Sequence, residues 1–166
     1  IYGQDFNKIT KLSSSDRSAN DRLGMTVDIS GGFVIVGASL EDDNATGMDS
    51  LPQAGSAYIF GRSFGGNWTE DAKLVPADRA ANDRFGFSVS IDGDRALVGA
   101  VNKALGASNG VGAAYIFERQ MNGSWIEVAK LDNPEPNEFD NFGSSVEIKG
   151  DIAFVGAGFA DPGMER

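Results

Sequence analysis

The sequence predicts an all-β fold made of repeated four-stranded antiparallel sheets, and three observations support this prediction. A segment of the pattern "DRAANDRFGFSVSIDGDRALVGA", which begins at Asp78, also occurs in related form from Asp16 and from Glu135. Glycine contributes 22 of the 166 residues, well above its average share of about 7%, which indicates many turns. Short apolar stretches lie between these glycines, and none has the periodicity of a helix.

Each repeat is predicted to form four short strands. In the first strand, apolar residues alternate with glycine and serine, as in a strand with one buried face: Phe85, Phe87, Val89 and Ile91. The second strand, "RALVGA", is a continuous apolar run, which indicates burial on both faces. The third and fourth strands are "GAAYIF" and "WIEVAKL". Trp68 and Trp125, at equivalent positions, are interpreted as packing residues, with a sugar-binding platform as the alternative.

Repeated sheets of this size must bury both faces against neighbours, and radial stacking of such sheets gives a β-propeller, whose sheets are called blades. The predicted organisation has four parts: 1–12 as the outer strand of a preceding blade, 13–74 and 75–131 as complete blades, and 132–166 as the first two strands of a partial blade. About 2.5 blades form an incomplete ring, since propellers close with typically four to eight. We expect either a fragment of a larger propeller or copies that complete one another in a ring or filament.

The recurring pattern resembles the FG-GAP repeat, the blade of the propeller in integrin α-subunit heads and in many bacterial and protist surface proteins. Phe-Gly occurs at 85–86 and at 142–143, with Leu-Gly at 23–24. Gly-Ala occurs in all three copies, without the proline of integrins, and "GSAYIF" is similar to the non-integrin branch. The resemblance covers nearly the whole chain and implies a non-enzymatic, secreted or cell-surface segment that mediates adhesion or self-assembly. Its expected partners are other copies, the remaining blades of a larger propeller, or a protein or glycan ligand.

Two alternative functions stay open at this point. A carbohydrate-binding module would need exposed aromatic residues at loop tips, for which Tyr2, Phe64 and Phe159 are candidates. An accessory propeller domain of a larger secreted enzyme is the other alternative. The chain contains no cysteine and no histidine, which removes most nucleophile, general-base and zinc arrangements, and no catalytic residues are predicted.

Charge and hydropathy exclude two further classes of partner. The net charge is −10 and lysine and arginine are not clustered, which argues against binding to a nucleic-acid backbone. No apolar run approaches the roughly 18 residues of a membrane span.

Calcium is the one cofactor that the sequence suggests, because integrin-type blades carry an Asp-rich calcium loop between their first two strands. Here only Asp92-Gly93-Asp94 occupies that place. We interpret Asp92-Gly93 as a two-residue hairpin turn with positive φ at both residues, with a calcium site at Asp92 and Asp94 as the alternative. The other acidic cluster is the loop 39–54, interpreted either as a solvated loop or as a possible calcium site with these ligands: Glu41, Asp42, Asp43 and Asp49.

Two further motifs are candidate sites. The motif "DRxANDR" precedes two of the blades and is predicted to link blades structurally, with a ligand-binding rim as the alternative; its charged candidates are Asp16, Asp21, Arg22, Asp78, Asp83 and Arg84. Possible glycosylation sequons lie in predicted loops or hairpin tips, at Asn44, Asn67 and Asn122.

Overall fold

The computed structural model describes residues 10–16, 18–43 and 50–160. Over these residues the chain forms ten β-strands and no helix. The strands are β1 Val27–Ser30, β2 Phe33–Ala38, β3 Ser56–Arg62, β4 Trp68–Leu74, β5 Phe85–Asp92, β6 Arg95–Ala100, β7 Ala113–Arg119, β8 Trp125–Asp132, β9 Phe142–Lys149 and β10 Ile152–Ala157.

The strands form three antiparallel sheets in which each strand pairs with the next one in sequence. Strands β1–β4 form blade 1, β5–β8 form blade 2, and β9 and β10 form the two-stranded blade 3. Blades 1 and 2 share even their irregularities, since β3 and β4 shift register between Ile59 and Phe60, and β7 and β8 shift between Ile116 and Phe117. The predicted all-β fold of repeated antiparallel blades is therefore confirmed, and the described blades do not close a ring.

The hairpin between β5 and β6 differs from the sequence prediction by one residue. Asp92 pairs with Arg95, so the two turn residues are Gly93 and Asp94, and Asp92 is the last residue of β5. Gly93 has a φ of 59°, and the glycines at the same position in the other blades, Gly31 and Gly150, have φ of 56° and 55°. Asp94 does not have a positive φ, so the prediction of positive φ at both turn residues is wrong. The turn requires glycine only at its first position, where an L-residue would be strained.

The core lies in the two seams, which are the interfaces between adjacent blades. In the seam between blades 1 and 2, Ile35 and Ile59 of blade 1 pack against Val98 and Tyr115 of blade 2. Trp125 also lies in this seam, with its ring edge-on to Phe33 at 5.9 Å between centroids. The seam between blades 2 and 3 is smaller and contains Leu97, Ala114 and Ile148.

The burial of the first strand of each blade depends on whether another blade lies on each side of it. Strand β5 of the central blade is buried on both faces, because Val89 and Ile91 face blade 1 while Ser88 and Ser90 face blade 3. The prediction of a half-buried strand with regular alternation is wrong for β5 in this respect. It also fails at Phe87, which is exposed beside a β-bulge between Phe85 and Ser88.

Candidate functional site

The recurring glycines meet across the seams, backbone against backbone. A Cβ placed on Gly55 of blade 1 would lie 2.0 Å from the carbonyl oxygen of Phe85, and one on Gly86 of blade 2 would lie 2.1 Å from the carbonyl oxygen of Ser56. Gly55 and Phe85 form a parallel β-bridge. The second seam repeats this contact, since Gly112 bridges Phe142 in the same way. The Phe-Gly of one blade and the glycines of the preceding blade thus form one contact that admits no side chain.

Polar side chains of each first strand join it to the first strand of the next blade. The carboxylate of Asp28 accepts hydrogen bonds from the Ile91 N–H at 2.8 Å and from the Ser90 hydroxyl at 3.1 Å. One blade further on, the Ser90 hydroxyl accepts a hydrogen bond from the Ile148 N–H at 3.2 Å. First strands are edge strands. These side chains therefore accept hydrogen bonds from backbone N–H groups that could otherwise pair with a strand of another chain.

Asp92 is part of the same set of contacts. Its carboxylate accepts hydrogen bonds from the Gly150 N–H at 2.8 Å and from the Lys149 ammonium at 2.9 Å, both in blade 3. These two donors hold the pKa of Asp92 below its ordinary value. Asp94 points elsewhere, with its carboxylate 3.8 Å from Arg119.

The loop with the motif "DRxANDR" is fixed by a buried aspartate. The carboxylate of Asp83 accepts a hydrogen bond from the Ala80 N–H at 2.7 Å, and Asp140 accepts one from the Asn137 N–H at 2.8 Å. Asp21 makes the equivalent contact with the Ser18 N–H. Asp140 is not among the residues predicted from the sequence, although it occupies the same position in "EFDNFG" as Asp83 in "ANDRFG" and could have been found by that match.

The last arginine of this motif contributes through its backbone. Arg22 and Arg84 have φ of 59° and 57°, and Asn141 at the same place in the third copy has φ of 54°. The N–H of Arg84 donates to the Gln53 carbonyl at 3.1 Å, which ties the loop to the preceding blade. Positive φ costs an arginine more than an asparagine, so these residues tolerate some strain to make that contact.

In blade 1, Asp16 belongs to a mostly buried polar network. It accepts hydrogen bonds from the Tyr58 hydroxyl at 2.8 Å and from the Lys73 ammonium at 2.7 Å. Lys73 also pairs with the buried Glu41 at 3.0 Å. Burial alone would raise the pKa of Asp16, but the hydrogen bonds from Lys73 and Tyr58 outweigh it and hold that pKa below its ordinary value.

Blade 2 contains the same network with one charge reversed. Lys103 stands where blade 1 has Glu41, and its ammonium pairs with the buried Asp83 at 2.8 Å and with Asp78 at 3.3 Å. Asp78 also accepts hydrogen bonds from Tyr115 at 2.7 Å and from Lys130 at 3.0 Å. Burial would raise the pKa of Asp78, but these partners lower it overall. Each of these two blades therefore has a buried, ion-paired side chain at this position, which is an acid in blade 1 and a base in blade 2.

The acidic loop that was a possible calcium site is described only in part, because Asp49 lies outside the described residues. Glu41 is buried, pairs with Lys73, and accepts a hydrogen bond from the Ser56 hydroxyl at 2.5 Å. Asp42 accepts one from the Gln53 N–H at 2.7 Å. Within residues 10–16, 18–43 and 50–160, no three acidic side chains are arranged to hold a metal ion. Calcium binding by this loop stays a prediction.

The remaining candidate positions lie at hairpin tips and strand ends. Asn67 and Asn122 are exposed on the hairpins β3–β4 and β7–β8, while Asn44 lies outside the described residues. Trp68 and Trp125 are both half-buried, and the Trp125 indole N–H donates to Asp71 at 3.3 Å. Of the aromatic residues considered for sugar binding, two are exposed and the third is outside the described residues; they are Phe64, Phe159 and Tyr2.

Two full four-stranded blades, a third hairpin and glycine-lined seams define a segment of a β-propeller. The model of the FG-GAP repeat family matches residues 6–60, 68–117 and 125–166. The chain therefore belongs to the FG-GAP repeat family, as its motifs predicted. No curated protein compared with the chain matches it. In the part of the chain that the structure describes, no helix is long and apolar enough to cross a lipid bilayer.

Proposed function

We propose that this chain is a non-enzymatic propeller segment of a secreted or cell-surface protein, and that it acts in adhesion or self-assembly through the open faces of its end blades. The open face of blade 1 supports this proposal. Val27 is 63% exposed there, whereas the equivalent residue of blade 2, Val89, is 8% exposed in a seam. Met25 and Ile29 are exposed beside Val27. An exposed apolar patch of this kind marks an interaction surface.

The open face of blade 3 carries the opposite half of a seam. Phe154 is 70% exposed, whereas Leu97 at the same position of blade 2 is fully buried. Ser145 stands at the position of Thr26 and Ser88, whose hydroxyls donate to backbone carbonyls across the two seams, at Gly86 and Gly143. The two open faces therefore carry matching halves of the seam that recurs within the chain. A second copy, or a further blade of a longer protein, fits either face.

The size of the particle in solution tests this proposal. Sedimentation velocity over a dilution series should show concentration-dependent association of the wild-type chain. Val27→Asp should remove the association, because it places a charge in the apolar half of a seam. Met121→Asp, at a fully exposed hairpin tip away from both open faces, is the matched control. A monodisperse monomer at every concentration, or equal loss in both variants, would contradict assembly through these faces.

A secreted location is supported by the placement of two sequons. Asn67 and Asn122 are exposed on equivalent hairpins of adjacent blades, where a glycan could be attached at the surface. Expression through a eukaryotic secretory pathway should therefore give an intact mass above that of the bare chain. Asn67→Gln and Asn122→Gln should each reduce that excess, and an unmodified mass would count against occupied sequons.

A further inference from the structure

Asparagine is followed directly by glycine at two places in the chain, at 109–110 and at 122–123. Asparagine is among the chemically labile residues of proteins. It loses its side-chain amide most readily before glycine, because glycine has no side chain to hinder the approach of its backbone nitrogen to the asparagine amide carbon. The structure restrains these two reacting groups differently at the two places.

At 122–123 both reacting groups are held by the β7–β8 hairpin. The Gly123 N–H donates to the Gln120 carbonyl at 2.8 Å. The side-chain carbonyl of Asn122 accepts hydrogen bonds from the Ser124 N–H at 3.0 Å and from the Ser124 hydroxyl at 2.8 Å. The nitrogen and the side chain must leave these partners before they can react with each other.

At 109–110, in the loop between β6 and β7, the Asn109 side chain and the Gly110 N–H have no hydrogen-bond partner among the described residues. Asn109 is also exposed. Blade 1 has a partner at this place, because Gln53 stands at the position of Gly110 and its N–H donates to the Asp42 carboxylate at 2.7 Å. In blade 2 the position of Asp42 is occupied by Ala104, whose side chain has no acceptor.

The same loop fastens blade 3 to blade 2. Its successive main-chain carbonyls at 109–111 accept hydrogen bonds from the segment that leads into blade 3, whose donors are the N–H groups of Phe139, Asn141 and Phe142, at 3.0, 3.0 and 2.9 Å. Gly110 also packs closely on Phe139, since an added Cβ would lie 2.9 Å from Cδ1 of that ring. A change in backbone length at 109–110 therefore acts directly on the seam between blades 2 and 3.

We propose that Asn109 is a site of spontaneous deamidation, and that the product loosens the seam between blades 2 and 3 as the protein ages. The Gly110 nitrogen gives its proton to a solvent base and attacks Cγ of Asn109. A C–N bond forms, the bond from Cγ to Nδ2 breaks, and ammonia leaves with a proton from solvent. The product of this step is a cyclic imide.

Water then opens the imide. When water adds to the main-chain carbonyl carbon of residue 109, the bond from that carbon to the Gly110 nitrogen breaks, and the carbon becomes a free carboxylate. The chain then runs through Cβ and Cγ, as isoaspartate. Addition of water at Cγ gives aspartate instead. Water is consumed, ammonia is released, and no group is oxidised or reduced.

Isoaspartate places an additional methylene in the backbone immediately before Gly110. The carbonyls of Gly110 and Val111 are thereby displaced from their donors in blade 3. The seam between blades 1 and 2 is not affected, because Pro52 stands at the position of Asn109 there. The site lies between described blades and uses neither open end face, so it does not depend on the function proposed above.

The test follows the purified, unglycosylated chain during incubation at mildly alkaline pH. Peptide mapping by mass spectrometry measures deamidation at each asparagine, and labelling by an isoaspartyl methyltransferase measures isoaspartate. Ala104→Asp supplies the acceptor that blade 1 has, on an exposed residue. Asn109→Gln is the matched control for ageing, because its longer side chain closes the ring far more slowly. Freshly prepared Asn109→Asp measures the effect of the charge alone.

Asn109 should deamidate at least about tenfold faster than Asn122, and Ala104→Asp should slow the reaction at Asn109 by about tenfold. Hydrogen exchange of the Asn141 and Phe142 amides should be faster in the aged wild-type chain than in equally aged Asn109→Gln or in fresh Asn109→Asp.

Several results would overturn the proposal. They are equal or faster reaction at Asn122, an unchanged rate in Ala104→Asp, and aspartate in place of isoaspartate as the main product. Amide exchange in the aged wild-type chain that equals that of aged Asn109→Gln, or of fresh Asn109→Asp, would also overturn it, since the longer backbone would then have no effect on the seam.

Discussion

Gly86 of blade 2 lies directly against the carbonyl group of Ser56 in blade 1, so that a methyl group on Gly86 would lie 2.1 Å from that oxygen. The residue also has a φ of 84°, which disfavours any side chain. Gly24, at the same position of blade 1, has a φ of 94° but no atom within 4 Å of an added Cβ. The Phe-Gly motif therefore has two physical requirements, and they can be separated by comparing its copies.

Replacing Gly86 by alanine should destabilise the chain far more than replacing Gly24. Both substitutions carry the cost of a left-handed backbone, about 1–2 kcal/mol. Gly86→Ala should lose about 3 kcal/mol more, because the backbone of two blades must separate. Urea unfolding measures both differences in the free energy of unfolding. Similar losses in the two variants would show that conformation alone, and not the seam contact, requires this glycine.

Removal of Lys103 should destabilise blade 2 strongly. Lys103→Met leaves the buried Asp83 without its ion pair, and breaking a buried pair in this way costs about 3–5 kcal/mol. Lys149→Met is the matched control, because Lys149 is 79% exposed in its pair with Asp92 and its removal should change the free energy of unfolding far less than the removal of Lys103. Thermal and urea unfolding give the comparison. Equal, small losses would indicate that the Lys103 network contributes little to stability.

Acid should weaken the fold through Asp78. Its pKa in the folded state lies below the ordinary 3.8, so the unfolded chain binds more protons as the pH falls through this range. The stability that Asp78 provides is therefore complete above about pH 4 and is lost below it. Asp78→Asn should be less stable than the wild type near neutral pH, and its stability should fall less between about pH 4 and about pH 2. Parallel pH profiles would contradict this assignment.

The calcium hypothesis for the loop 39–54 makes a specific prediction about which acids matter. Glu41 already pairs with Lys73, so Asp42, Asp43 and Asp49 are the ligands that a calcium ion would use first. Calorimetric titration with calcium should then give heat that disappears in Asp49→Asn. Titration with magnesium controls for a general charge effect. No heat, and no change in melting temperature with calcium, would contradict the hypothesis.

Much of the fold could be predicted from the sequence because the repeats are in register. The three aligned copies placed the hairpins. The turn at Gly93-Asp94 was displaced by one residue, because periodicity locates a hairpin but the strand register decides which residues turn. The burial of both faces of β5 could not be predicted from alternation, since it depends on a blade on each side.

The candidate sites were less predictable, because their chemistry joins residues that are distant in sequence. Glu41 and Asp42 belong to one acidic run, yet Glu41 is paired with Lys73 of a strand that follows much later. Gln53 and Gly110 occupy equivalent positions in their repeats, and among the described residues only the N–H of Gln53 has a carboxylate partner.

The sequence by itself determined the repeat, the strand order and the family, because these depend on local patterns of glycine and apolar residues. Only the tertiary structure decided what those patterns do. It showed that the recurring glycines are needed because two backbones touch, and that the buried charge changes sign between blades while staying paired. These properties depend on distances between blades, and the spacing of residues along the sequence does not give those distances.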